Sequence, residues 1–249
     1  MRDVWTRSQK SKVSFIRSEP GDAMDGQLIC ESAPQSGEQN MRIDAELLDT
    51  VSRDQSTCFV RIYRWSEPTI SLGYFQKDVV VERRWQSCPV VKRLTGGGAI
   101  LHDRELTYSI ALPASHAFRS EPVTAYERVH QAIIDVLTEM QAPCRMRGET
   151  SAVPRTDEPF LCFLRGDPRD VVVGSDKIIG SAQRRRKGAI LQHGSLLLSA
   201  SDLLPEVPGV LDLYPHLSEA ALSDRLGKAI LSAIGGHEPT KQKGTNVHP

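Results

Sequence analysis

The sequence predicts an α+β fold built on a mixed β-sheet. Two observations carry that reading. Segments with strand character come in pairs set between helices and do not alternate with helices one to one. Neither GxGxxG nor GxxxxGK[ST] occurs, so the nucleotide-binding loops of the doubly wound folds are absent. The 249 residues suffice for one large domain or two small ones.

Taken in order, residues 1–39 are polar and interrupted by Pro20, Gly21, Pro34 and Gly37. They read as a partly ordered lead-in, with Val13–Ile16 a candidate edge strand. Asn40 is a candidate N-cap for a helix running to about Arg53, whose Met41, Leu47, Leu48 and Val51 share one face. Cys58–Trp65 and Thr69–Tyr74 read as strands separated by a turn at Pro68. Val90, Val91 and Leu94 form a short apolar strand. Leu106, Tyr108, Ile110 and Leu112 alternate with Thr107, Ser109 and Ala111, the period of a strand with two different faces. Thr124 and Glu127 have capping-box spacing ahead of a helix carrying Tyr126, Val129, Ile133, Val136, Leu137 and Met140. Pro143 lies just past its end.

Residues 145–160 read as irregular. Asp170–Val173, Lys177–Gln183 and Ala189–Leu198 read as three strands, the first two joined tightly at Gly174-Ser175-Asp176. Leu203–His216, with three prolines, reads as a loop. Ser218 caps a last helix that places Leu222, Leu226, Ile230 and Ile234 on one side and stops at Gly235-Gly236. The organisation expected is a lead-in over 1–39, a single domain over 40–236 and a disordered tail over 237–249.

Composition excludes several classes. Lys plus Arg and Asp plus Glu are both 31, a formal net charge of zero, which argues against a nucleic-acid binder. No apolar run approaches the roughly 18 residues of a membrane span. The N-terminal MRDVWTRSQKSK is followed by no apolar segment of a secretory signal. Five cysteines without a CxxC suggest neither a zinc site nor a disulfide framework, so no metal and a reducing cytoplasm are expected.

Chemistry concentrates in two stretches. Gly96, Gly97 and Gly98 lie between two strands; without Cβ atoms their N–H groups can approach a ligand closely, although three glycines alone are as well explained by a tight turn. Cys162, among Pro159, Phe160, Leu161 and Phe163, reads in isolation as a small buried hydrophobe. Arg184-Arg185-Arg186-Lys187 reads as a solvated basic face that could also dock an acidic partner.

The run Lys92 to Asp103, KRLTGGGAILHD, resembles the glycine loop of the biotin/lipoate protein ligase and octanoyltransferase superfamily, RR-x-[ST]-G-G-[GR]-A-[IV]-x-H-D. Arg64-Trp65, Pro68 and Ser71-Leu72-Gly73-Tyr74 are similar to the same superfamily. Cys162-Phe163, followed by Lys177 and the passage to Leu198, is similar to its octanoyltransferase branch. The resemblance covers about residues 40–235. It implies a mixed β-sheet flanked by helices, the fold shared with class II aminoacyl-tRNA synthetases and biotin ligases. It further implies transfer of an octanoyl or lipoyl group from a carrier thioester, through a Cys162 thioester, to a lysine of a lipoyl domain.

In that branch the lysine favours the thiolate, a role that falls on Lys177. Substrate-binding positions carried over are Arg93, Gly96, Gly97, Gly98, His102, Gly180, Ser181 and Ala182. His102 could equally orient the loop. The implied donor is acyl carrier protein, and the acceptor a lipoyl domain or a glycine-cleavage H-type protein, with no nucleic acid, membrane or cofactor.

The loop departs from the branch at two positions. Gly98 stands where the branch commonly has arginine, and Lys92 replaces its first arginine. The triple glycine, as in the ATP-dependent lipoate ligases, keeps open an ATP- and Mg-dependent lipoate–protein ligase acting through an acyl-adenylate. Lipoyl amidotransfer between lipoyl-bearing proteins and a non-catalytic lipoyl-domain binder complete the readings.

Overall fold

A computed structural model describes residues 13–14, 24–77, 80–149 and 159–235. Eleven strands form among them: β1 (Val13–Ser14), β2 (Asp25–Cys30), β3 (Thr57–Tyr63), β4 (Thr69–Leu72), β5 (Val90–Lys92), β6 (Ile100–His102), β7 (Glu105–Leu112), β8 (Arg145–Met146), β9 (Val171–Val173), β10 (Asp176–Arg186) and β11 (Ala189–Leu197). The helices are α1 (Gly37–Arg53), α2 (Pro122–Glu139), the single turn α3 (Val210–Leu213) and α4 (Glu219–Ala233).

The main sheet has the order β1-β2-β3-β7-β11-β10-β9-β8, and a small one the order β5-β4-β6. Both are mixed: β2 runs parallel to β3 and β4 to β5, and the other pairs are antiparallel. The expected α+β architecture is what forms.

The period-2 pattern sorts the central strands between two helical layers. Val60 and Ile62 of β3, with Tyr108, Ile110 and Leu112 of β7, pack against Val129, Ile133 and Leu137 of α2 and Leu226 and Ile230 of α4. Their neighbours Phe59, Ala111 and Leu191 pack against Leu47, Leu48 and Val51 of α1. Each fully buried aliphatic side chain contributes roughly 1.5–3 kcal/mol. A third cluster, including Ile70, Trp85, Ile100, Leu101, Leu161 and Phe163, holds the small sheet against the segment that carries Cys162.

Several boundaries differ from expectation. Ser36, not Asn40, caps α1, accepting from Gln39 N at 3.3 Å. Asn40 is fully buried, because its side chain accepts from Arg61 at 2.7 Å and donates to the Arg64 carbonyl at 3.1 Å. Helix α2 starts at Pro122, where a fixed φ and a missing N–H suit the first turn, and no capping box forms. Thr124 instead donates to Glu121 at 3.2 Å. Residues expected in the lead-in supply β2 and the α1 cap. Strand β6, the turn α3 within the expected loop and the four extra residues of β10 were not expected either. Phe15, Ile16 and residues 236–249, with the tail reading, lie outside the described residues.

Candidate active site

The glycine loop joins β5 to β6, and Arg93 shapes it from beneath. The Arg93 Nη1 donates to Ser71 O at 2.8 Å and Ser71 Oγ at 3.1 Å. Its Nη2 donates to Gly96 O at 2.7 Å and Gly98 O at 2.6 Å. The guanidinium is 1% exposed and its bonds go to the protein's own chain, so it moulds the loop. Gly97 has φ +90°, a region that side chains other than glycine's seldom adopt, and a Cβ there would stand 3.1 Å from Arg93 Nη2. Thr95 Oγ1 bonds His193 Nε2 at 2.6 Å, which ties the loop to β11.

His102 has both ring nitrogens engaged. A carboxylate only accepts, so His102 Nδ1 donates to Glu105 Oε1 at 2.8 Å. In the neutral ring Nε2 then accepts from Ser71 Oγ at 2.7 Å, while Ser71 Oγ accepts from Arg93. Trp65 stacks on the imidazole at 3.8 Å. Both ring nitrogens are thus bonded within the protein, an arrangement that fits the loop-orienting role.

Cys162 opens a 3₁₀ turn, Cys162–Leu164, and donates its N–H to Ala99 O at 2.7 Å, directly beyond the glycine loop. Lys177 lies at the start of β10. The tight turn at Gly174, φ +60°, folds β10 back on β9, and a register shift between Lys177 and Ile179 turns the lysine inward. Its Nζ stands 3.9 Å from Cys162 Sγ, the outer reach of a hydrogen bond to sulfur, and donates to Cys162 O at 3.1 Å. Asp170 completes the cluster at 2.9 Å from Lys177 Nζ. Burial pushes the Asp170 carboxyl up, and the lysine ammonium opposes that. Sequence reasoning missed Asp170, although its acidic type, seven residues before Lys177 and across a two-residue turn, was legible.

Gly180 leaves room for this lysine: a Cβ there would sit 2.8 Å from Lys177 Cε. Ser181 is held by two short bonds, to Tyr108 OH and to His130 Nε2, each 2.5 Å. His130 Nδ1 faces the Arg169 carbonyl at 2.5 Å and must donate. Its Nε2 therefore accepts from Ser181 Oγ, whose lone pair takes the Tyr108 proton. Burial holds the imidazole neutral, its pKa pushed down to about 4. Gln192 donates to Tyr108 OH at 3.4 Å and extends the chain.

Two cavities share Cys162. One is lined by Met41, Trp65, Ile100, Phe163 and Ala182, together with polar residues such as Thr107 and Ser195. Thr107 and Ser195 both donate to Glu105, so the cavity keeps an apolar character despite its polar lining. The other is open and polar, and is lined by Tyr126, His130, Arg165, Arg169, Asp170 and Lys177. Gly97 and Ser181 border both. Of the sequence-derived positions, Cys162, Arg93, Gly97, His102, Gly180, Ser181 and Ala182 line the first cavity, and Cys162, Gly97, Gly98, Lys177 and Ser181 the second. Gly96 lines neither; it carries one of the carbonyls held by Arg93. Arg184 lies over the Tyr74 ring at 4.2 Å, and Arg186 pairs with Asp49, so half the basic run is engaged with the protein itself.

Among the described residues no cluster of His, Cys, Asp and Glu has the arrangement of a metal site, and no helix is long and apolar enough to cross a membrane.

The chain is similar to known proteins over most of this architecture. It is 37% identical over 206 residues to the octanoyltransferase LipM of Macrococcus caseolyticus, a span of 78% of this chain and 71% of that one. It is 38% identical to the LipM of Geobacillus kaustophilus, over 71% of this chain and 66% of that one. With the Staphylococcus aureus LipM the span is 60% of the relative. The chain thus covers between three-fifths and about seven-tenths of these relatives' lengths. In fold it resembles the crystal structure of lipoate-protein ligase A bound with ATP, with a TM-score of 0.67 at 22% identity over 87% of this chain and 89% of that one. It also resembles a bi-partite lipoate protein ligase from Thermoplasma acidophilum, with a TM-score of 0.61 at 20% identity over 86% and 85%. The family model for the lipoyl protein ligase A/B catalytic domain matches residues 36–211, from the cap of α1 through the cysteine and lysine to α3, and the chain belongs to that family.

Proposed function

We propose that this protein is an octanoyltransferase that moves a medium-chain acyl group from a carrier thioester, through Cys162, to a lysine amine of a lipoyl domain. The observation that carries the reading is Lys177 Nζ at 3.9 Å from Cys162 Sγ, where an apolar cavity meets an open polar one. The apolar cavity suits the acyl chain. The polar cavity gives first the carrier's thiol arm and then the acceptor lysine a route to the same sulfur.

The reaction balances with these two residues. The Cys162 thiolate attacks the thioester carbonyl, and the Lys177 ammonium gives a proton to the departing carrier thiolate. This leaves octanoyl-Cys162 and a neutral Lys177. The acceptor amine then attacks the new thioester, Lys177 takes its proton, and Cys162 leaves as thiolate. One thioester replaces another in the first step and an amide replaces a thioester in the second, so no ATP is consumed. Splitting the transfer in this way is what a covalent nucleophile contributes. The acyl carrier protein as donor, and a lipoyl domain or H-type protein as acceptor, are the partners this chemistry calls for.

The test is intact-protein mass spectrometry. Incubation with octanoyl-acyl carrier protein should add one octanoyl group to Cys162, and adding an apo lipoyl domain should move it to the domain. Octanoylation of the domain only with free octanoate and ATP, without acylation of Cys162, would instead establish the ligase alternative.

A further inference from the structure

Resting on the acyl-transfer reading, we propose that Asp170 is the positioning residue of the reaction: it holds one N–H of Lys177 and thereby aims the ammonium at the Cys162 sulfur. A lysine ammonium has three N–H bonds. Here Asp170 Oδ1 lies at 2.9 Å, Cys162 O at 3.1 Å and Cys162 Sγ at 3.9 Å. With the first two partners fixed, the third direction is set.

Asp170 is itself held rigidly. Its Oδ2 accepts Asp167 N at 2.8 Å, its N–H donates to Asp167 O at 3.0 Å, and its carbonyl accepts Arg147 N at 2.8 Å. Arg147 Nε stands 3.7 Å from Oδ2, beyond a hydrogen bond. The carboxylate is 4% exposed, so it serves no solvent-facing purpose. It also compensates the ammonium charge. A buried, compensated lysine acts on a neighbouring thiol through the placement of its proton more than through net field. On this reading Asp170 acts on the reaction through Lys177.

The test compares Asp170→Asn, Asp170→Glu, Lys177→Ala and the Asp170→Asn/Lys177→Ala double variant, all checked by circular dichroism. Transfer from octanoyl-acyl carrier protein to an apo lipoyl domain is measured together with the rate of Cys162 alkylation by iodoacetamide. Asp170→Asn should lower kcat by at least about 30-fold with both KM values within threefold, and Asp170→Glu, which keeps the carboxylate, should recover at least a tenth of wild-type kcat. Asp170→Asn should also change the alkylation rate at least threefold in the wild-type background and leave it unchanged in the Lys177→Ala background. A kcat within threefold of wild type, equal effects in both backgrounds, or a glutamate no better than asparagine overturns the proposal. If the asparagine variant does not fold, a folded Asp170→Glu below a hundredth of wild-type kcat overturns it. A wild-type protein that never acylates Cys162 marks failure of the transfer reading; the alkylation comparison still decides the role of Asp170.

Discussion

Lys177 holds Cys162 at two points: its Nζ donates to the cysteine's carbonyl oxygen at 3.1 Å and stands 3.9 Å from its sulfur. The backbone contact fixes where the sulfur lies relative to the ammonium. Removing the amine should therefore affect proton transfer in both half-reactions. Lys177→Ala is expected to lower turnover by about 10²–10⁴-fold, the usual range for an acid–base group. Lys177→Arg keeps the charge but cannot give up its proton near neutral pH, so it should fall almost as far. Steady-state transfer to a lipoyl domain checks this, and an arginine variant within fivefold of wild type would rule out a proton-carrying lysine.

Gly180 offers a way to move the lysine without removing it. A methyl group at this position would meet Lys177 Cε at 2.8 Å, a flexible side chain that can swing aside. Gly180→Ala is therefore expected to unfold within about 1 kcal/mol of wild type while losing at least tenfold in kcat. Equal activity would mean that Lys177 reaches its working position from elsewhere.

Much of this was legible in the chain. The alternation over Leu106–Leu112 gave the central strand because both of its faces are covered by helices. The cysteine–lysine spacing became a contact because a glycine turn joins β9 and β10. Less legible were roles set by tertiary partners. Asn40 has the residue type of a cap, yet it is drawn into the core by Arg61. His130 takes its role from Arg169 O and Ser181, 39 and 51 residues away, which no local pattern reports. Asp25–Cys30 lacks the alternation of a half-buried strand, and pairing with β3 supplies what periodicity does not.

Asp44 and Arg61 set the stability of the α1 layer. The guanidinium is fully buried and bonds Asp44 Oδ1 at 3.1 Å, and Tyr63 OH and Ser109 Oγ also donate to Asp44. Burial raises the Asp44 carboxyl, but the His193 imidazole, the Arg61 charge and the Ser109 hydroxyl together outweigh it and hold the carboxyl below its ordinary value. Asp44→Ala leaves the arginine with only Glu31 as a carboxylate partner and should cost about 3–5 kcal/mol in urea unfolding. A loss under 1 kcal/mol would show that Glu31 alone suffices.

His130 should make the fold sensitive to mild acid. Burial lowers its pKa to about 4, whereas an unfolded chain carries histidine near the ordinary value of about 6.5. Between those values the unfolded state binds a proton that the folded state does not, so stability rises with pH across the window and is lost as pH falls through it. The groups facing the ring do not reverse this: the hydrogen bond to the Arg169 carbonyl and the Asp167 charge oppose burial in part, while the Lys177 and Arg169 charges add to it. Protonation would also remove the Nε2 lone pair that receives the Ser181 proton, and with it the order of the chain through Tyr108. A shift of this size is worth about 3 kcal/mol between pH 7 and pH 4. His116 and His193, both also lowered by burial, add slopes of the same sign. His130→Gln keeps an acceptor for Ser181 and a donor for the Arg169 carbonyl but does not titrate. Urea unfolding at pH 7, 5.5 and 4.5 should show the wild type losing more stability than His130→Gln on each step downward, with the difference reaching about 2 kcal/mol at pH 4.5. Parallel losses in the two proteins would mean that His130 is protonated in the folded state, and the proton order assigned to the Tyr108–Ser181–His130 chain would have to be reversed.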